Sequence, residues 1–282
     1  MQIRNTKLIL KSKPTLEGAG VHLKRAFGYY EVPIFDPFLM MDDFRNDDPQ
    51  KYLRGFPWHP HRGIETITYM LDGSVEHGDS LGNTGVLSGG DVQWMTAGRG
   101  IVHQEMPRGN AEGKMLGFQL WANLPASHKM MSPRYQDIPS QQIPEVVTND
   151  GARVRILCGS FSGVQGPVKD IIIDPEYLDV TVPTGSVYHH PTRRDYTVFI
   201  YVIGGKGYTG AENETVLSNE TVVLFEDGDQ IRIATEGDPV RFLLLSGKPI
   251  REPVAWGGPI VMNTREEVQQ AFREYEEGTF LK

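Results

Sequence analysis

Gly55-Phe-Pro-Trp-His-Pro-His-Arg-Gly-Ile-Glu65 and Gly98-Arg-Gly-Ile-Val-His-Gln-Glu-Met106 each carry two metal-capable side chains one residue apart: His59 with His61, and His103 with Glu105. On a β-strand the side chains of residues i and i+2 share a face, ~6.5–7 Å apart along the chain. Two such pairs on facing strands place three imidazoles and one carboxylate around a single ion. Imidazole and carboxylate donors without a thiolate suit iron, manganese, copper, nickel or zinc. Four protein groups on an octahedral ion leave two positions open, which favours catalysis or ligand capture over a purely structural metal.

Outward from these stretches the pattern is β-rich. Ile64-Glu-Thr-Ile-Thr-Tyr-Met-Leu71 is dense in β-branched and aromatic residues and closes on Asp72-Gly73, a hairpin signal. Short runs of the same kind recur at 92–96, 116–121, 154–158, 197–203, 221–225 and 241–246, punctuated by Gly and Asp. The expected fold class is therefore all-β, as sandwiches or barrels. One helix is expected, at the C-terminal end: Thr264 and Glu267 form a capping box, and Val268, Ala271, Phe272 and Tyr275 share a face. The segment Val32–Phe44 holds two prolines and reads as an edge strand or extended chain. Its Asp42 and Asp43 read as turn or surface residues, because no histidine adjoins them and adjacent residues point to opposite sides.

Thr66–Gly73 resembles Val198–Gly205, and Val86–Val92 resembles Leu224–Gln230, so one β-rich unit occurs twice. With the Pro-rich run at 134–150 as a linker, the expected organisation is 1–133, linker, 151–282. Extending the alignment sets Pro191 against His59, Arg193 against His61, Arg241 against His103 and Leu243 against Glu105. On that reading only the first copy holds a metal.

Bulk properties narrow the function. A net charge of −8 argues against a general binder of nucleic-acid backbone, although residues 1–28 carry six Lys/Arg and one Glu. The single cysteine, Cys158, requires no oxidising compartment. No signal peptide or membrane span is evident, so a cytoplasmic protein is expected, or a nuclear one in a eukaryotic source. His22, His77 and His128 stand alone, and the adjacent His189 and His190 point to opposite faces. Glu65 lies ~13 Å of extended chain beyond His61 and reads as a supporting residue unless the strand bends at Gly63.

Residues 56–66, with Gly55, His59, His61, Glu65 and Gly73 in order, resemble the first cupin motif. Together with Phe35-Asp-Pro-Phe38, Met41-Asp-Asp-Phe44, the run 93–107 and Pro249-Ile-Arg-Glu-Pro-Val254, they resemble the pirin family. The resemblance implies two tandem cupin jelly-roll barrels and iron(II) on His59, His61, His103 and Glu105, with Glu65 not a ligand. In the second motif Pro107 stands where Asn is usual. It also implies a quercetin 2,3-dioxygenase activity on flavonols and O2, with Glu105 ligating and accepting the substrate proton. Phe56, Gln93, Trp94, Met95 and Arg99 are the expected pocket wall. Pirins also suggest an alternative, an iron-dependent redox cofactor that contacts transcription factors or metabolic enzymes.

Overall fold

In the computed structural model, which describes residues 1–282, the chain forms two compact units. One comprises Met1–Ser12 with Gln141–Pro249, the other Lys13–Ser140 with Ile250–Lys282. The ends therefore group otherwise than in the halves expected from the repeat. Strand Thr6–Lys11 pairs with Thr221–Phe225. Within 134–150, Arg134–Ile138 pairs with Val92–Thr96 and Glu145–Val147 with Arg153–Cys158, so much of the expected linker is edge strand. No helix is long and apolar enough to cross a membrane.

The unit that holds the histidine pairs has two main sheets and a two-stranded ribbon, Ala255–Gly257 with Ile260–Met262. The larger runs Arg134–Ile138, Val92–Thr96, Ile64–Asp72, Leu116–Asn123, Phe38–Asp43, Val21–Phe27, Lys13–Glu17. The smaller runs Phe56–His61, Ile101–Arg108, Ser74–Asp79, Thr84–Ser88. Alternation is clearest along Ile101–Arg108, where Ile101, His103, Glu105 and Pro107 are buried and the residues between them are not. Val21, Leu23, Phe44, Met70, Val75 and Met115 form part of one apolar cluster, while Leu39, Ile64, Met95 and Ile101 belong to a second. Phe38–Asp43 is an interior strand between Leu116–Asn123 and Val21–Phe27, not an edge. Its prolines, Pro33 and Pro37, precede it, so no ladder hydrogen bond is lost.

Asp42 and Asp43 are likewise not surface residues. Both are nearly inaccessible, and burial is tolerated because each carboxylate meets an arginine: Arg25 holds Asp42 at 2.8 Å and Arg45 holds Asp43 at 2.6 Å. The segment 250–282 ends in helix Arg265–Glu276, capped by Thr264 and Glu267 as expected. It buries Val268 and Ala271, while Phe272 and Tyr275 stay about two-fifths exposed.

The other unit pairs Thr6–Lys11, Thr221–Phe225, Thr197–Thr209, Val240–Gly247, Glu176–Val182, Arg153–Cys158 and Glu145–Val147 in that order, with Val187–Pro191 against Gln230–Ala234. Its interior is a single aliphatic and aromatic cluster that includes Val154, Leu178, Ile200, Val223, Ile233, Phe242 and Leu244.

Candidate metal centre

Phe56–His61 pairs with Ile101–Arg108 in a register that sets His59 opposite His103 and His61 opposite Ile101. Gly63 then turns the chain into Ile64–Asp72 with φ +79, and a Cβ there would lie 2.0 Å from the Val261 carbonyl oxygen. Only glycine permits that approach. Lys129 secures the same corner, donating to the Gly63 and Val261 carbonyls at 2.9 Å each and to Asn123 Oδ1 at 2.7 Å.

The ring nitrogens of His59, His61 and His103 lie within 4.8 Å of one another. His59 Nδ1–H donates to the Pro57 carbonyl at 2.8 Å, and His61 Nδ1–H donates to the Pro259 carbonyl at 3.1 Å. In neutral rings those bonds leave each Nε2 with a lone pair, and the two Nε2 atoms face each other at 3.0 Å. Two acceptors at that separation call for a cation between or beside them. His103 adds to the case, since both its ring nitrogens are buried with no hydrogen-bond partner. Burial, then the neighbouring imidazoles, holds His61 and His103 well below the ordinary histidine range, so they present the neutral rings a metal needs. The residues fit a transition-metal ion.

Glu105 borders the same cavity but stands outside the 4.8 Å set. Its carboxylate accepts from Gln119 Nε2, 3.0 Å from Oε1 and 3.2 Å from Oε2, and from the Thr68 hydroxyl at 3.4 Å. Glu65 is fully buried and not part of the cluster, accepting from Thr96 Oγ1 at 2.7 Å, with its carboxyl pushed up chiefly by burial.

Beside the histidines lies a cavity of about 610 Å³ bordered by Tyr29, Phe56, Trp58, Trp121 and Trp256, with Arg25, Asp42 and Glu17 supplying charge. Of the expected wall residues only Phe56 is there. Trp94 and Met95 are buried in the sheet, Gln93 donates to Asp137 at 2.9 Å and lies against His77, and exposed Arg99 offers its backbone carbonyl to Arg62. Their strand pairs with Ile64–Asp72 and Arg134–Ile138, not with the strands that carry the ligand pairs. Trp58 was open to inference as the neighbour of His59. Trp121, Trp256 and Arg25 arrive from strands whose pairing the sequence does not declare.

His22 is exposed, whereas His77 is buried, stacked on Tyr135. His189 is exposed and His190 buried, as their adjacency implied. The second unit's register revises the repeat alignment. Val187–Pro191 pairs with Gln230–Ala234, and its buried pairs are Tyr188–Ile233 and His190–Ile231, the counterparts of His59–His103 and His61–Ile101. Arg241 and Leu243 belong instead to Val240–Gly247, the counterpart of Leu116–Asn123, and Arg193 sits in an exposed turn on Asp174. Two features displaced it: the turn after Pro191 is longer than the one after His61, which shifted Pro191 and Arg193, and Val92, opposite Tyr69, has Val222, opposite Tyr201, as its counterpart and not Gln230, which shifted Arg241 and Leu243. One histidine, His190, thus survives, but both its nitrogens are engaged, by the Tyr188 hydroxyl at 3.0 Å and by Glu176 at 2.8 Å.

Two jelly-roll units, one of them carrying a three-histidine cluster in its interior, define a bicupin. The Pirin family model matches residues 20–122 and the Pirin C-terminal cupin domain model matches residues 177–281. The chain belongs to the pirin family. It is 44% identical over 281 residues to a pirin-like protein of Caulobacter vibrioides, covering 99% of this chain and 100% of that one. It is 40% identical to human pirin over 277 residues, 96% of this chain and 92% of the other. The crystal structure of a quercetin 2,3-dioxygenase from Acinetobacter baumannii superposes with a TM-score of 0.89 at 28% identity, covering 99% of both chains.

Proposed function

We propose that the chain is an iron-dependent dioxygenase that opens flavonols such as quercetin with O2 and releases carbon monoxide. The observation that carries this reading is the three-histidine cluster opening onto an aromatic-walled cavity of about 610 Å³, within the range of ~300–1,000 Å³ typical of small-molecule sites. The likeness to the Acinetobacter quercetin 2,3-dioxygenase supports it.

The planar flavonol stacks among Trp58, Trp121 and Trp256. His59, His61 and His103 would hold the ion through ring nitrogens, two of the rings oriented by backbone carbonyls. Glu105 would be the fourth ligand, and it takes the proton of the substrate 3-hydroxyl, leaving an electron-rich enolate. Iron, when bound, supplies Lewis acidity toward that oxygen and the electronic means of engaging O2.

Iron-loaded protein mixed anaerobically with quercetin and then given O2 should consume O2 and release carbon monoxide, and His59→Ala should abolish both. Equal traces from the two proteins would discard the reading. The identity to human pirin supports a second role, redox-dependent contact with a protein partner. Equal partner recovery by the ferrous and ferric proteins in a pull-down would count against it.

A further inference from the structure

Gln119 projects from Leu116–Asn123 toward the cavity, half-buried, and its amide makes two contacts. Its Nε2 lies 3.0 and 3.2 Å from the two carboxylate oxygens of Glu105, and Trp121 Nε1 lies 3.3 Å from its Oε1. An indole N–H can only donate. The amide is therefore locked one way, with its oxygen toward Trp121 and its NH2 toward Glu105. Trp121 is itself fixed edge-on to His61, ring centroids 5.1 Å apart, and lies 5.8 Å from Trp256.

We propose that Gln119 is a positioning residue for the metal centre: through the Trp121-locked amide it holds the Glu105 carboxylate oriented as the fourth ligand. The inference rests on the reading of Glu105 as a ligand. Glu105 is 6% exposed, so water orients it little, and the Thr68 contact at 3.4 Å is long. Gln119 is the short donor. The donor type also matters. An arginine or lysine there would orient the carboxylate equally well but would neutralise it and repel a divalent ion. An amide supplies N–H groups without charge, and leaves the carboxylate its full negative charge for the metal. The Trp121 indole removes the flipped alternative, in which the amide oxygen would face the carboxylate and repel it.

The test measures nickel(II) affinity of the full-length protein by chelator competition, in Gln119→Leu, Glu105→Ala and the double variant. Loss of a hydrogen bond to a ligating group costs roughly 10–100-fold in metal affinity, and that loss is expected for Gln119→Leu. The double variant should bind no more weakly than Glu105→Ala alone, because Gln119 acts only through Glu105. The cobalt(II) d–d absorption bands should shift in Gln119→Leu toward those of Glu105→Ala, a change that loosened packing alone would not produce. Weakened binding in Glu105→Ala with wild-type affinity and spectrum in Gln119→Leu would overturn the positioning role and leave the ligand reading standing. Unchanged affinity in Glu105→Ala would remove the ligand reading itself and the inference with it. If Gln119→Leu does not fold, Gln119→Met, unbranched and of similar length, takes its place with the same outcomes.

Discussion

Replacing His103 by leucine should affect stability differently with and without metal. The imidazole is 1% exposed, and neither ring nitrogen has a hydrogen-bond partner. Stranded polar groups of this kind cost roughly 1–3 kcal/mol when no ion is bound. Leucine removes that penalty at a packing cost of up to about 1.5 kcal/mol for a substitution of similar volume. In excess chelator His103→Leu should therefore fall between about 0.5 kcal/mol less and about 3 kcal/mol more stable than wild type. With metal the balance moves toward wild type. A ligand present at 100 times its dissociation constant stabilises the native state by ~2.7 kcal/mol, and wild type gains this while the variant does not. At roughly 2–4 °C per kcal/mol for a chain of this size, the metal-induced rise in Tm of about 5–10 °C should vanish in the variant. Urea and thermal unfolding, each in EDTA and in nickel(II), measure all four states. A variant that is several kcal/mol less stable than wild type in EDTA would show that His103 is held by interactions other than a metal. A variant that keeps the metal-induced shift would show that the ion sits elsewhere.

Two further outcomes follow. The Lys129 ammonium is buried and its pKa is pushed down to about 7, chiefly by burial, against ~10.4 in an unfolded chain. Between those values the unfolded state binds the extra proton, so stability should rise from pH 7 toward pH 10, by at most roughly 4 kcal/mol at ~1.4 kcal/mol per pKa unit. Lys129→Met should flatten that slope in urea titrations across the same range; an unchanged slope would mean that another group is responsible. Arg241→Ala removes one partner, at 2.6 Å, from Asp179, which is 3% exposed, and should destabilise the second unit by roughly 1.5–3 kcal/mol, as for a hydrogen bond to a charged group. Its metal affinity, and that of Arg193→Ala, should equal wild type in the chelator competition; a tenfold loss in either would return the second unit to the metal site.

Much of the centre was legible because strand periodicity is local. His59 and His61, and His103 and Glu105, are each set on one face by a two-residue spacing, and the capping box at Thr264 needs only three residues to declare itself. What depended on partners distant in sequence was not. Asp42 gives no local sign of the guanidinium of Arg25 that permits its burial. Of the expected pocket wall, Phe56 adjoins the histidine pair on its own strand, whereas Gln93, Trp94 and Met95 lie on a strand of the other sheet, and the cavity takes Trp121 and Trp256 instead. The repeat alignment failed at a turn of different length, which set Pro191 and Arg193 where Tyr188 and His190 carry the comparison, and at a Gly-Asp pair that precedes Val92–Thr96 in one unit but Gln230–Ala234 in the other.

The grouping of segment 250–282 with Lys13–Ser140 also sets a timetable for the protein's manufacture. The carbonyl of Pro259 selects the tautomer of His61, and the carbonyl of Val261 holds Lys129 against Gly63. A ribosome delivers both only after the whole of Gln141–Pro249 has been made. A nascent chain can thus present His59, His61 and His103 long before the ring of His61 is set for an ion.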